Sequence, residues 1–489
     1  MRRLVLFIAL LLAAFAQAEK PNIIYILADD LGYGDPRCYN PDGMIPTPNI
    51  DRLAAEGARF TDMHSGSAVC TPTRYGILTG RYSWRSRLQK GVLEGLGEPL
   101  IPPTRTTVAS FLKAQGYATA AVGKWHLGLD WTYVDHKTDY AAAFKEGPNA
   151  LGFDYYFGIP ASLDMPPYVY VENDHVVEAA TAMVEKSEGQ KMWRGGPIAP
   201  SFKHQDVLPT LTQKACDLIA KHPADKPLFL YLALTAPHTP VLPSEASSGK
   251  SDTGLYGDFV VDVDNTVGAV TAALAQAGLT ENTLVIFTSD NGFAPPGGRK
   301  EVEAHHHNPE PGLRGNKADI FEGGHRIPFI ARWPKHVPAG VVRTGTAWLG
   351  DFFATAAAAA GATPPKDAAE DSVSLLPALL GQDAPPRGPV VHHSGDGYFA
   401  IRDGQWKLIF CAHSGGWSEP KPNDPGNKDR PQQQLYDLAA DLAEQHNVAT
   451  DHPEIVARLT QELQTIIDQG RSTPGDPLKN DVDIDWQRP

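Results

Sequence analysis

Four polar clusters in this chain share one position: each closely follows a short apolar run. Asp29-Asp30 follow Asn22–Ala28, Lys124 and His126 follow Tyr117–Val122, His238 follows Leu228–Leu234, and Asp290-Asn291 follow Thr283–Thr288. Asp29, Asp30, Asp290 and Asn291 offer only hard oxygen ligands, which suit Ca2+ first and Mg2+ second. Adjacent carboxylates repel each other, and a cation between them relieves the repulsion. The run His305-His306-His307 lacks helical i,i+4 geometry and reads as a loop near a cleft mouth. Arg74, Lys124 and Lys317 lie in polar or Gly-rich segments, and around an oxyanion such groups neutralise charge that builds up during transfer. His126 and His238 are the histidines placed to give or take protons. Taken singly, each cluster is also an ordinary turn after a strand. Chemistry requires that they meet.

A sheet would bring them together. The four runs are short, rich in β-branched or aromatic residues, and lack clean alternation, as expected of strands buried on both faces of a parallel sheet. Helical patterns alternate with them. Pro48–Glu56 has Thr47 as N-cap and stops at Gly57, and Val108–Gln115 stops at Gly116. Phe259–Ala277 puts Val260, Val263, Val267, Val270 and Leu274 on one face and stops at Gly278. This alternation predicts an α/β fold with a mainly parallel central sheet sandwiched by helices. Ligands of such sheets bind outside the carboxyl ends of the strands, which is where all four clusters fall.

The chain changes character near Ala384-Pro385-Pro386. Beyond it, Tyr398–Arg402 and Gln405–Phe410 flank Asp403-Gly404, a two-residue hairpin signal. A Pro/Gly/Asn-rich loop over 414–433 precedes an amphipathic helix over Pro453–Gln469. The expected organisation is a large α/β domain over 19–385 and a smaller C-terminal antiparallel α+β domain over 386–489.

Hydrophobic residues at 42% and charged residues at 20% make an ordinary globular balance. A formal charge of −14 repels nucleic acid and long polyanions, so an anionic substrate needs a local cationic pocket. Residues 1–18 read as a secretory signal: Arg2 and Arg3, an apolar run Leu4–Phe15, then Ala16-Gln17-Ala18 for cleavage. The mature chain is therefore expected to be exported, periplasmic or extracellular, with no membrane span. Cys38, Cys70, Cys216 and Cys411 are too few for a disulfide scaffold in a chain this long.

Cys70-Thr71-Pro72-Thr73-Arg74, continuing Tyr75-Gly76-Ile77-Leu78-Thr79-Gly80-Arg81, resembles the signature of the type I sulfatases. The segments Ala28–Gly32, Gly123–Gly128, Ala236–His238, Ser289–Gly292, Lys317 with Phe321–Gly324, and Leu435–Leu438 are similar to further family segments. The likeness is greatest to the arylsulfatase A and N-acetylgalactosamine-6-sulfatase branch. Thr73 stands where the family often has Ser.

The resemblance implies an alkaline phosphatase-like fold and a sulfuric ester hydrolase acting on a sulfated small molecule or glycan. It implies that a formylglycine-generating maturation enzyme oxidises Cys70 to formylglycine, whose hydrate is the nucleophile. It places that residue with Asp29, Asp30, Asp290 and Asn291 around Ca2+. Arg74 would orient the nucleophile, and Lys124 and Lys317 would stabilise the sulfuryl oxygens. His238 would protonate the leaving oxygen, and His126 would deprotonate the remaining hydroxyl. The alternatives are a phosphodiester or phosphonate monoester hydrolase of the same superfamily, or an inactive sulfoglycan-binding protein. Specificity is expected from loops Tyr82–Leu96, Asp164–Trp193 and Pro295–Asn308, with Arg85, Arg87 and Lys90 of the first read as solvated surface charges.

Overall fold

The computed structural model describes residues 20–382 and 387–487. The signal reading (1–18) and the domain boundary at 385/386 lie outside them. Strand β1 (Asn22–Asp29) is buried along its whole length, as its unbroken apolar run requires. The sheet is completed by β2 (Ala58–His64), β3 (Ala118–Lys124), β4 (Tyr155–Ile159), β5 (Leu228–Pro237), β6 (Thr283–Ser289) and β7 (Arg326–Arg332), with short strands at its margins. Their order is β2-β7-β6-β1-β5-β3-β4. The five strands β6, β1, β5, β3 and β4 run parallel, with Ile23 level with Phe229 and Leu284. β7 is antiparallel to both β6 and β2. The expected mainly parallel sheet is present, with all four predicted strands at its centre.

Helices α1 (Pro48–Ala55), α4 (Val207–Lys221) and α5 (Gly254–Gln276) pack together, while α2 (Cys70–Thr79), α3 (Val108–Ala114) and α6 (Asp351–Ala359) form a second group. Burial of β-strand residues such as Ile24, Ile26, Leu230 and Val285 contributes roughly 1.5–3 kcal/mol each. α5 starts five residues before the periodic run at Phe259. Its first turns, Gly254–Asp258, break the apolar period because Asp258 is buried there to accept from the backbone of Gly249, Lys250 and Ser251. No helix among the described residues is long and apolar enough to cross a membrane. All four cysteines are free thiols.

The C-terminal part is an antiparallel sheet of β8 (Val390–His393), β9 (Phe399–Asp403), β10 (Trp406–Ile409) and β11 (Gln434–Asp437). The hairpin turns at Asp403-Gly404, with Gly404 left-handed at φ 59°. Helix α7 (Pro453–Asp468) packs on β9 and β10 through Leu459 and Leu463.

Three buried histidines join the two parts. His64 ends β2, His325 precedes β7 and His392 lies on β8. His64 Nδ1 is 3.0 Å from His325 Nδ1, and the His325 and His392 rings stack at 3.9 Å. Arg402 Nη1 lies 2.9 Å from His64 Nε2 and Lys407 Nζ 3.1 Å from His325 Nε2, so these cations disfavour a divalent ion here. Burial lowers all three below the ordinary 6.5, against the pull of Glu322 and Asp62 on His64 and with help from a neighbouring histidine and Lys407 at His325 and His392, and keeps the rings neutral. The unfolded chain therefore binds more protons at acid pH. Stability is full above about pH 6.5 and falls as pH drops below it. The melting temperature is expected to fall between about pH 7 and about pH 5.5, and His392→Leu to flatten that slope. A slope unchanged by the substitution would contradict the assignment.

Candidate active site

Because β1, β3, β5 and β6 are parallel, their carboxyl ends reach one edge, carrying Asp29, Lys124, Pro237 and Ser289. The next residues turn sharply there. Asp30 and His126 adopt left-handed backbone, φ 66° and 57°, a conformation that costs a non-glycine residue about 1–2 kcal/mol. Bonds hold both: Asp30 N–H donates to Asp290 Oδ1 (3.2 Å) and His126 N–H to the Pro160 carbonyl (3.0 Å).

Cys70 is the first residue of α2, after an extended Val69, so the positive end of the helix lies beside it. Its Sγ is 3.6 Å from Asp29 Oδ1. Burial pushes its thiol up to about 12, which leaves the unmodified residue protonated and a weak nucleophile. Arg74, one helical turn further on, is fully buried. Its Nε and Nη2 donate to Asp290 Oδ2 at 3.1 and 2.7 Å, Nη2 lies 3.4 Å from Asp29, and Nη1 donates to the Lys124 carbonyl.

Lys124 Nζ donates to both oxygens of Asp29 at 2.9 and 2.7 Å and to Ser162 Oγ at 3.2 Å. Lys317 Nζ sits 2.7 Å from Asp30 Oδ1 and 2.8 Å from Oδ2. Burial opposes the charge of Asp29, but Lys124, His238, Arg74 and Lys317 outweigh it and hold the carboxyl well below the usual range. Burial and the Asp29 charge push Asp290 up instead. For Lys317 the attraction of Asp30 outweighs burial, so the ammonium keeps its proton well above the usual range.

His238 Nδ1 faces the Thr239 carbonyl, and its Nε2 lies 3.5 Å from Asp30 Oδ2. His126 Nε2 donates to the Leu93 carbonyl at 2.8 Å, and its buried Nδ1 has no partner among the described residues. Burial, then the charges of Lys124 and Arg74, hold that imidazole neutral. Asn291 Nδ2 donates to Asp30 Oδ1 at 2.7 Å, while its Oδ1 is buried without a donor among the described residues. An orphaned carbonyl oxygen beside paired acids is what a hard cation would satisfy. Ligating atoms of Asp29, Asp30, Cys70 and His238 all lie within 4.8 Å of one another. The residues present thus fit a Ca2+ or Mg2+ ion.

All ten residues singled out in the sequence meet here: Asp29, Asp30, Cys70, Arg74, Lys124, His126, His238, Asp290, Asn291 and Lys317. Ser162 went unread. It follows the apolar run Tyr155–Ile159, and the strand-end rule that found Asp29, Lys124, His238 and Asp290 applies to it equally. One other reading is corrected. Arg85 is not solvated: it is fully buried on both oxygens of Asp371, at 2.9 Å each, because that buried carboxylate needs a countercharge. Among Arg85, Arg87 and Lys90, only the last two are exposed. The run His305–His307 forms a turn and loop, with His305 and His306 exposed and His307 buried and bonded to Asp35 at 2.9 Å.

This sheet, with acids, lysines and a helix-leading cysteine at one edge and a small antiparallel sheet behind, is the alkaline phosphatase-like arrangement. The family description Sulfatase matches residues 21–362. An N-acetylgalactosamine-6-O-sulfatase of Bacteroides thetaiotaomicron is 37% identical, covering 92% of this chain and 93% of the relative. Human arylsulfatase A is 34% identical, covering 92% and 88%. A solved 6S-sulfatase structure from work on glycosaminoglycan metabolism in B. thetaiotaomicron superimposes with TM-score 0.80 at 36% identity, covering 91% of this chain and 99% of that one. The chain belongs to the sulfatase family. It is a sulfuric ester hydrolase.

Proposed function

We propose that the chain is an exported sulfatase that hydrolyses sulfate monoesters on a sulfated carbohydrate, with formylglycine made from Cys70 by a maturation enzyme. The observation that carries this reading is Cys70 at the head of α2, 3.6 Å from Asp29, in a pocket that also holds two lysine ammoniums and the orphaned Asn291 oxygen. Asp29, Asp30, Asp290, Asn291 and residue 70 would hold Ca2+, with Mg2+ second. When bound, the ion supplies Lewis acidity toward sulfate oxygens and lowers the proton affinity of a hydroxyl. Asp29, Asp30 and Asp290 are balanced by Arg74, Lys124 and Lys317. A divalent ion would therefore leave the pocket positive, which suits a sulfate ester and answers the chain's overall acidity.

Arg74 fixes Asp290 and the start of the nucleophile helix. Lys124 and Lys317 are placed to stabilise charge on the sulfuryl oxygens. His238 donates Nδ1–H to Thr239, so as an imidazolium it would carry a second proton on Nε2 and pass that proton to the departing ester oxygen. His126, with Nε2–H committed to Leu93, has Nδ1 as the acceptor for the remaining hydroxyl proton. The 37%-identical relative carries the name of an N-acetylgalactosamine-6-O-sulfatase, and that sugar sulfate is the first substrate to offer.

The test is sulfate release from N-acetylgalactosamine 6-sulfate by protein co-expressed with a formylglycine-generating enzyme, beside turnover of bis-nitrophenyl phosphate. Hydrolysis of the phosphate alone would sink the reading. His238→Ala is expected to lower turnover of the sugar sulfate about 10²–10⁴-fold and of nitrophenyl sulfate much less, because nitrophenolate leaves without a proton. Equal losses would remove His238 from the acid role.

A further inference from the structure

The C-terminal sheet lends a loop to this cleft. The turn Ser414–Ser418 is pressed onto Lys317–Asp319: the Ile320 N–H donates to the Ser414 carbonyl at 2.7 Å, and Asp319 Oδ1 accepts from the backbone of Trp417 (2.7 Å) and Ser418 (2.9 Å). The fit is tight enough to require glycine. A Cβ on Gly416 would lie 2.4 Å from the Ala318 carbonyl, and one on Gly395 2.9 Å from the Ala318 Cβ. So seated, the turn holds out Trp417. Its indole is 47% exposed, although large apolar side chains in this chain are mostly buried. The ring centroid is 5.9 Å from Lys317 Nζ, the same ammonium that bonds Asp30. Beside the indole is a hollow of about 410 Å³, edged by the polar side chains of Asp396, Lys421 and Asn423.

We propose that Trp417 is the floor of a sugar subsite, its indole stacking on the C–H face of the pyranose that carries the sulfate. This rests on the sulfatase reading above and adds the residue that recognises the carbohydrate. The electron-rich ring face attracts the slightly positive C–H bonds of a sugar. Asp396, Lys421 and Asn423 offer the hydrogen-bonding groups that hydroxyls need, and an exposed aromatic with a few convergent polar groups is the usual composition of a ligand site. The distance fits one ligand: with the sulfate at Lys317, the ring bearing it comes over the indole. A cation–π contact with Lys317 alone does not account for the open face and the polar hollow.

The experiment compares wild type, Trp417→Ala and Trp417→Phe on N-acetylgalactosamine 6-sulfate, with inorganic sulfate as a competitive inhibitor. Sulfate needs only the charged pocket. Trp417→Ala is expected to raise KM for the sugar sulfate about 10-fold or more, Trp417→Phe to restore most of the loss, and Ki for sulfate to stay within about 2-fold throughout. An unchanged KM overturns the proposal. So does a sulfate Ki that rises in parallel, since the indole would then act only through Lys317. Wild-type protein that releases no sulfate from any sugar overturns the sulfatase reading instead. If Trp417→Ala fails to fold, Trp417→Phe and Trp417→Leu decide the matter by the same two constants.

Discussion

Cys70→Ala is expected to abolish sulfate release, by on the order of 10⁴–10⁶-fold, and to move the melting temperature by only about 2 °C. The first figure follows from removing the side chain proposed to become the nucleophile, since the lysines and acids around it would only stabilise charge. The second follows from the packing. Residue 70 opens α2, where Ala serves as well as Cys, and the lost Sγ contact is a 3.6 Å approach to Asp29. Steady-state assays with a sugar sulfate and a thermal melt check both numbers. Retention of most of the activity would overturn the nucleophile assignment. A large drop in melting temperature would show that residue 70 has a structural load instead. Peptide mass spectrometry of the wild type adds an independent reading, because the oxidised residue differs in mass from a thiol.

Arg74→Met is expected to cost about 3–5 kcal/mol of stability as well as activity. The guanidinium is fully buried and donates twice to Asp290, so its loss leaves a buried carboxylate short of its countercharge. The methionine fills similar volume and makes no ion pair. Chemical denaturation with and without Ca2+ checks the cause. If unpaired acids are the origin of the loss, calcium should stabilise the variant more than the wild type. Equal stabilisation of the two would point to packing.

Much of this site could be read before any fold was known, for a definite reason. Strands buried on both faces of a parallel sheet are unbroken apolar runs, and β1, β3, β5 and β6 each end at or just before a polar group that the topology delivers to one edge. The strands β2 (ARFTDMH) and β7 (RIPFIAR) were harder. Their charged residues pair with one another and across the junction, Arg326 with Asp62 and Glu322 and Asp62 with Arg402, and the apolar signal is interrupted. Lys317 follows no strand, so its charge and Gly-rich segment marked it as a candidate cation and only the family likeness placed it with the others. Arg85 looked like a surface charge because its partner Asp371 lies 286 residues away. Trp417 lay in a stretch whose Pro, Gly and Asn content says loop and nothing more.

The depth of residue 70 has a consequence for the order of events in the cell. It is 2% exposed, and every residue of α2 around it is buried. A separate protein cannot wrap its own catalytic groups around a side chain enclosed in this way. On the proposed reading, oxidation at this position would belong to the still extended polypeptide, and the window would close when the strands assemble. A chain that collapses early would be correctly shaped and permanently inert.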